Sequence, residues 1–483
     1  MELVNSSLPC LVIGLLFALS RREGRMLLLS LSLAFGTLAV VLLPAAGGAT
    51  LLLTDGLLLL GLALTLLTPS GARRAFAAFA PGRAGRVLLV LLLLATLLTL
   101  FAPRLFEGSI EVFQVGREVN QRGVGLSPLA PNSGNLTQLL RLTLTVLFFA
   151  LTTSLLSGPR GSTVAFRAVL ALTLAHAALG LVDLLTHHIN RPDLMALLRT
   201  ASYALATDQV LEGVKRMAGG MPEASAYGYV ATGLFGFWAH LATGRRYRGI
   251  ALGLAALSLW MALRSTSASA AFGVGTTLLL LLVQHLAEGR WHRASLARAT
   301  ATLALLLGLP ALLAIAALTY SLSPEFAQVL DRAFLDKLGT PSAAERGSWN
   351  RAAWEALIAS NGAGLGLGSV RASSWPIATL ATLGLAGFLL FATFIARLLT
   401  FRPGPGAAAE VREVAAAARF ALLALLLRAL VSKTTPNLDY IFFLFAGIAT
   451  ALALADLAPR ARAHETRTLT GRPAPAGRPL TPS

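Results

Sequence analysis

The chain has 483 residues, of which 55% are hydrophobic and 13% charged, and its mean hydropathy is +0.71. Charged residues make up about a quarter of an ordinary soluble domain, so a water-soluble body is excluded. The net charge of +18 is scattered between apolar blocks and forms no single stripe or arm, which argues against a nucleic-acid partner.

A bilayer crossing takes about 20 helical residues. Apolar blocks on that scale lie at 8–19, 26–45, 50–67, 87–102, 139–156, 164–185, 224–242, 250–263, 270–286, 299–319, 375–399, 415–431 and 440–457. They predict an all-α, polytopic integral membrane protein with about 13 transmembrane helices, in a range of about 11–14. The blocks at 8–19 and 250–263 are short for a crossing, so tilt, re-entry or flanking residues must complete them. The first has no basic residue before it and no small-residue cleavage site after it, so it reads as a retained helix and not a signal peptide. Residues 1–458 form one transmembrane domain, and the Arg/Pro-rich stretch 459–483 reads as a disordered basic tail.

Arginines fall in alternate short connections: Arg21, Arg22 and Arg25, then Arg73, Arg74, Arg83 and Arg86, then Arg160 and Arg167, then Arg245, Arg246 and Arg248, then Arg290, Arg293 and Arg298. The positive-inside rule places those connections in the cytoplasm and the N-terminus outside. Continuing the alternation puts Arg402, Arg412 and the tail in the cytoplasm. The single cysteine, Cys10, excludes an intramolecular disulfide and a cysteine-rich metal site.

With that orientation the three longest connections, 103–138, 186–223 and 320–374, all lie outside. Loops of this length usually carry function. They hold Arg104, Arg117, Arg122, Arg191, Arg199, Arg216, Arg332, Arg346, Arg351 and Arg371, and all three lysines, Lys215, Lys337 and Lys433, fall on the same side. Cations that oppose the topology signal point to an anionic ligand, although long loops also translocate regardless of charge and can simply solvate a surface.

The third loop says most. Ser342 and Glu345 have the spacing of a capping box, which predicts a helix from Ser342 through Trp349, Ala353 and Leu357 to about Ser360, with Arg346 in its first turn. Asn361-Gly362 ends it. Glycines at 362, 364, 366 and 368 then lead through Ser369 to Arg371. Alternate glycines allow backbone N–H groups to approach a phosphate, and glycine is equally common where membrane helices pack closely or bend. The flanking Arg346 and Arg371 offer planar guanidinium forks that match phosphate oxygens. Inside the spans, Asp55, Asp183 and His176 stand at membrane depth, either as a proton relay or as groups that hydrogen-bond to neighbouring helices.

In their order along the chain, several short motifs resemble the O-antigen ligase and polymerase superfamily, especially Wzy-type polymerases of exopolysaccharide. These are Asn120-Gln121-Arg122-Gly123 through Pro131-Asn132 to Gln138, Arg216-Met217-Ala218-Gly219 with Met221-Pro222-Glu223 to Gly228, Ser265 to Ala270, and Glu345-Arg346-Gly347-Ser348-Trp349 followed by Gly364 to Arg371. The resemblance spans roughly Glu118 to Ile377. O-antigen ligases carry a histidine in the last large loop, near a glycine-rich segment; this loop has none, which disfavours a ligase and leaves a polymerase or a related sugar transferase.

The resemblance implies a glycosyltransferase C-like membrane fold with short helices in its large extracytoplasmic loop. It implies a bacterial inner-membrane enzyme that needs no metal or other cofactor, with an undecaprenyl-pyrophosphate-linked glycan as donor and another as acceptor. A chain-length regulator and a flippase are the implied protein partners. No Asp-x-Asp pair of the nucleotide-sugar kind occurs. Arg346 and Arg371 are expected to bind the donor pyrophosphate, with Arg122, Lys215, Arg216, Lys337, Arg351, Gly366, Gly368 and Ser369 as further contacts. Glu223 and Glu345 compete as the base for the acceptor hydroxyl, although Glu345 is already used by the capping box and Glu223 suits a helix N-terminus; His187 and His188 are alternatives. A ligase, and a transporter or flippase, stay open as other readings, though no internal repeat of the kind transporters show is evident.

Overall fold

In the computed structural model the described residues are 2–43, 49–116, 123–202, 205–211, 213–287, 323 and 341–455. The helices are α1 (Ser7–Leu19), α2 (Arg22–Ser32), α3 (Leu53–Leu66), α4 (Pro69–Ala77), α5 (Ala84–Leu105), α6 (Ser133–Leu156), α7 (Gly161–His188), α8 (Asp193–Ala196), α9 (Ala224–Leu241), α10 (Arg248–Arg264), α11 (Ala268–Ala287), α12 (Pro341–Ala359), α13 (Trp375–Thr400), α14 (Ala409–Ser432) and α15 (Asp439–Ala455). The chain is mostly helical and belongs in a membrane. Six described helices, α5, α6, α7, α11, α13 and α14, are long and apolar enough to cross a bilayer, and a seventh span results if α3 and α4, bent by 119°, count together. The expected thirteen spans are therefore not all accounted for among the described residues. The block at 299–319 lies outside them.

The strictly helical expectation needs correction in the first fifty residues. The apolar block 26–45 does not continue as helix: α2 stops at Ser32, and the chain becomes β2 (Ala39–Leu43), paired antiparallel with β1 (Glu2–Leu3) and β3 (Ala49–Leu52). Hydropathy alone could not reveal this, but Gly36, the β-branched pair Val40-Val41 and Pro44 are weak helix formers. Backbone at this depth must find partners within the protein. Ser6 and Ser7 donate to the carbonyls of Ala39 and Val40, at 2.6 Å each, and Ala39 N–H donates to Thr200 Oγ1 at 2.9 Å. Two further hairpins, β4 (Glu111–Gly116) with β5 (Gly123–Pro128) and β6 (Val210–Leu211) with β7 (Val214–Lys215), lie in the long connections.

Local chemistry sets several helix starts. Asn132 accepts from Gly134 N–H at 2.8 Å while Asn135 Oδ1 accepts from Asn132 N–H at 2.8 Å, a reciprocal cap that begins α6. Thr68 caps α4 ahead of Pro69 at the first helical position. The core is aromatic: Phe148, Phe149, Phe237, Trp238, Phe391, Phe394, Phe442, Phe443 and Phe445 are fully buried. Small residues bring the helices together. A Cβ on Gly236 of α9 would stand 2.7 Å from Ala424 Cβ of α14, and one on Gly447 of α15 would stand 2.6 Å from Thr152 Cγ2 of α6.

The ionisable groups inside the spans have partners in neighbouring elements. Asp55 receives Arg141 at 3.0 Å, Tyr440 Oη at 2.5 Å and Leu52 N–H at 2.9 Å. His176 Nε2 sits 3.1 Å from the Tyr227 carbonyl oxygen, and its ring stacks on Tyr227 at 3.9 Å. Asp183 is 1% exposed and holds the connection after α7: it accepts from Arg199 at 2.6 Å and from the N–H groups of Ala218 and Gly219 at 2.8 and 2.9 Å, with Lys215 Nζ at 3.5 Å.

The predicted loop helix is present as α12, from Pro341 to Ala359. The glycines after it do something hydropathy does not foretell. Helix α13 breaks at Gly384 (φ 67°), and the segment 362–366 fills the break: Leu365 and Gly366 N–H donate to the carbonyls of Ala381 and Thr382, at 2.9 and 2.8 Å, and Leu385 N–H donates to Gly362 O at 3.0 Å. Gly364 has φ +86°, and a Cβ there would stand 2.3 Å from Gly384 N. Backbone cannot yield as a side-chain end can, and the left-handed conformation alone costs a non-glycine residue about 1–3 kcal/mol. Gly364→Ala is therefore expected to lower the melting temperature of the purified protein by several degrees; an unchanged melt would refute this seating of the glycine segment.

Candidate functional site

The long connections meet at one end of the bundle. Arg371 N–H donates to Phe113 O of β4 at 2.9 Å, Asn135 Nδ2 at the start of α6 donates to Ser369 Oγ at 2.8 Å, and Met217 N–H donates to Arg264 O at the end of α10 at 3.3 Å. Connections at the other end hold Arg22 against the carbonyls of Leu155 and Ser157, and Arg246 against Glu410 at 3.5 Å.

At the end bearing the long connections, charged side chains from four separate stretches converge. Glu223 is the residue before α9, with extended backbone, and it accepts a hydrogen bond from Ser225 Oγ. Its carboxylate acts on the charges of Arg216, Arg371 and Arg428 alike. Arg346, exposed near the start of α12, acts in turn on Arg216 and Arg371. Two of the residues expected to bind donor, Arg346 and Arg371, thus stand in one electrostatic basin with Arg216 and the candidate base Glu223. Glu345, the competing base, is exposed on α12 and acts on Arg371.

Arg371 is the best-defined of these cations. Its guanidinium lies over the Trp349 indole at 4.5 Å, and its Nε is buried without a hydrogen-bond partner. Burial pushes its pKa down, while Glu223 and Glu345 pull it back up. A guanidinium keeps its charge under such pressure where an ammonium would lose it, so the site retains a cation with spare donors. Arg216 is similarly depressed by burial against the pull of Glu223. It is anchored by Thr266 Oγ1 at 2.9 Å and Gln209 Oε1 at 2.5 Å.

Other expected contacts lie elsewhere. Lys215 turns inward, donating to the Thr207 carbonyl and facing Asp183, so it serves the internal ion network. Arg351 is exposed on α12. Gly366 and Gly368 are filled by packing: a Cβ would stand 2.8 Å from Leu98 O in the first case and 2.4 Å from Gly134 O in the second. Ser369 is fully buried and bound by Asn135. These glycines cradle helix backbone, the second of the two uses their pattern allowed. His187 and His188 form the last turn of α7. Arg122 and Lys337 lie outside the described residues.

Sequence reasoning passed over Arg428. It sits one turn before the end of α14, 3% exposed, inside a block read only as a span. The signal was available, since an arginine within an apolar helix is a functional candidate by default. No family model and no curated protein matches the chain.

Proposed function

We propose that this protein is a bacterial inner-membrane polymerase that joins undecaprenyl-pyrophosphate-linked oligosaccharide repeats into an envelope or exopolysaccharide at the outer face of that membrane. The charge of Glu223 acting on Arg216, Arg371 and Arg428 together, with Arg346 acting on the first two, carries this reading. Breaking the bond from a sugar to a pyrophosphate builds negative charge on the leaving group. Arginines fixed in advance on that charge stabilise the transition state without metal. Glu223, the one carboxylate acting on three of the four, is placed in the role of base for the acceptor hydroxyl. In this reading the end bearing the long connections faces the periplasm, the N-terminus is periplasmic and the C-terminus cytoplasmic. A flippase supplies the substrate and a chain-length regulator limits the product.

The test is reconstitution. Purified protein given undecaprenyl-pyrophosphate-linked native repeats, without metal or nucleotide, is expected to produce a ladder of longer glycans on a gel. Repeats left unchanged by folded protein would refute the polymerase. Transfer onto a lipid A acceptor would then identify a ligase, and repeats moved across a vesicle membrane would identify a transporter.

A further inference from the structure

Arg428 is hard to explain as a structural residue. Its guanidinium is buried where α9, α11 and α14 meet, and its stem passes Gly273 of α11 so closely that a Cβ there would stand 2.9 Å away. One terminal nitrogen donates to Ser225 O at 2.6 Å, and Nε has no partner. Among the described residues it forms no ion pair, although Glu223 and Asp439 act on its charge from farther off. The face of Tyr229 lies 5.0 Å from its guanidinium, and Lys433 Nζ lies 5.1 Å from the same ring. Lys433 is paired with Asp439.

A buried cation without a direct counter-ion is unfavourable by several kcal/mol, an expense difficult to account for unless an anion arrives to offset it. The two carboxylates that act on Arg428 are shared with other cations, Glu223 with Arg216 and Arg371, and Asp439 with Lys433 in an ion pair. A pyrophosphate joined to a lipid at one end and a sugar at the other has one ionised oxygen on each phosphorus, hence two negative charges on adjacent groups.

We propose that Arg428 is a second, deeper anion subsite, which takes one phosphoryl group of a pyrophosphate diester while Arg216, Arg346 and Arg371 take the other. This rests on the polymerase reading for the donor's chemical class, and it makes the site a discriminator between pyrophosphate and monophosphate lipids. Two phosphoryl groups engage both subsites; one engages either, not both. Tyr229 supplies a π-face that helps hold the guanidinium, and its hydroxyl is fixed by donating to Leu438 O at 3.1 Å.

The experiment titrates farnesyl pyrophosphate and farnesyl monophosphate into the detergent-solubilised full chain, following binding by calorimetry. Wild-type protein is expected to prefer the pyrophosphate by about tenfold or more, as two charge-assisted contacts over one imply. Arg428→Met is expected to bring the two affinities within about twofold, with a melting temperature near that of the wild type. If Arg428→Met does not fold, Arg428→Lys replaces it, and at least a threefold loss of preference, about what one weakened charged hydrogen bond yields, supports the subsite. A folded variant with undiminished preference overturns the inference and leaves the polymerase standing. Wild-type protein with no preference overturns both the subsite and the pyrophosphate donor. Loss of preference in the variant, coupled with no glycan elongation by the wild type, leaves the subsite and removes the polymerase.

Discussion

Replacing Arg371 by alanine is expected to slow glycan elongation by about 10²–10³-fold, the loss seen when one preorganised donor to a developing anion is removed. Its neighbours define why the effect should be catalytic and not structural. The guanidinium rests on the Trp349 ring and leaves Nε without a protein partner, so no buried carboxylate depends on it. Losing a stacked cation costs about 0.5–2 kcal/mol, too little to unfold the chain. Arg371→Lys keeps the charge and loses the planar fork, and it should fall between wild type and alanine. Elongation rate and thermal melt measured on the same preparations decide the matter. A rate that drops only in step with the melt would make Arg371 a packing residue, and an undiminished rate would remove it from the site.

How far such a site was legible in the sequence differs residue by residue. Arg346, Arg371, Arg216 and Glu223 could be picked out because they occur where the topology signal disfavours charge, or at a helix entry. Their convergence could not be, since it depends on how α9, α12 and α13 pack. Membrane character was plain from apolar blocks, and α12 from the Ser342/Glu345 spacing at its start and Asn361-Gly362 at its end. The half-length α2 was hidden because hydropathy measures transfer to lipid and is blind to backbone conformation: Val40 and Val41 are as apolar in strand β2 as they would be in a helix. The glycine run posed a choice between anion cradle and close packing that the sequence left open. The break at Gly384 decides it, because the N–H groups of Leu365 and Gly366 are already committed to the carbonyls of Ala381 and Thr382. Arg141 shows the same limit from the other side, since nothing in the sequence pairs it with Asp55 across 86 positions.

The largest loss of stability is expected from Asp183→Ala. Arg199 and Lys215 both direct their charge at this carboxylate, and all three side chains are at most 7% exposed. Two backbone N–H groups at Ala218 and Gly219 also end on it. Removing the carboxylate leaves two buried cations facing each other with no counter-ion, which costs about 3–5 kcal/mol for a broken buried pair. Because Asp183 ties down the segment that presents Arg216, elongation should fall along with the melting temperature. Asp183→Asn keeps an acceptor for the backbone and should lose less. The pH dependence adds an independent check. Burial already pushes the Lys215 pKa below its ordinary 10.5, with Asp183 opposing the fall and Arg199 deepening it. Without Asp183 the folded-state value drops further, so the unfolded chain binds more protons between that value and the ordinary one. Stability of Asp183→Ala should therefore rise as pH is raised through that window. A variant that melts like the wild type, or whose stability falls over the same range, would show that the Asp183 network does not hold this connection in place.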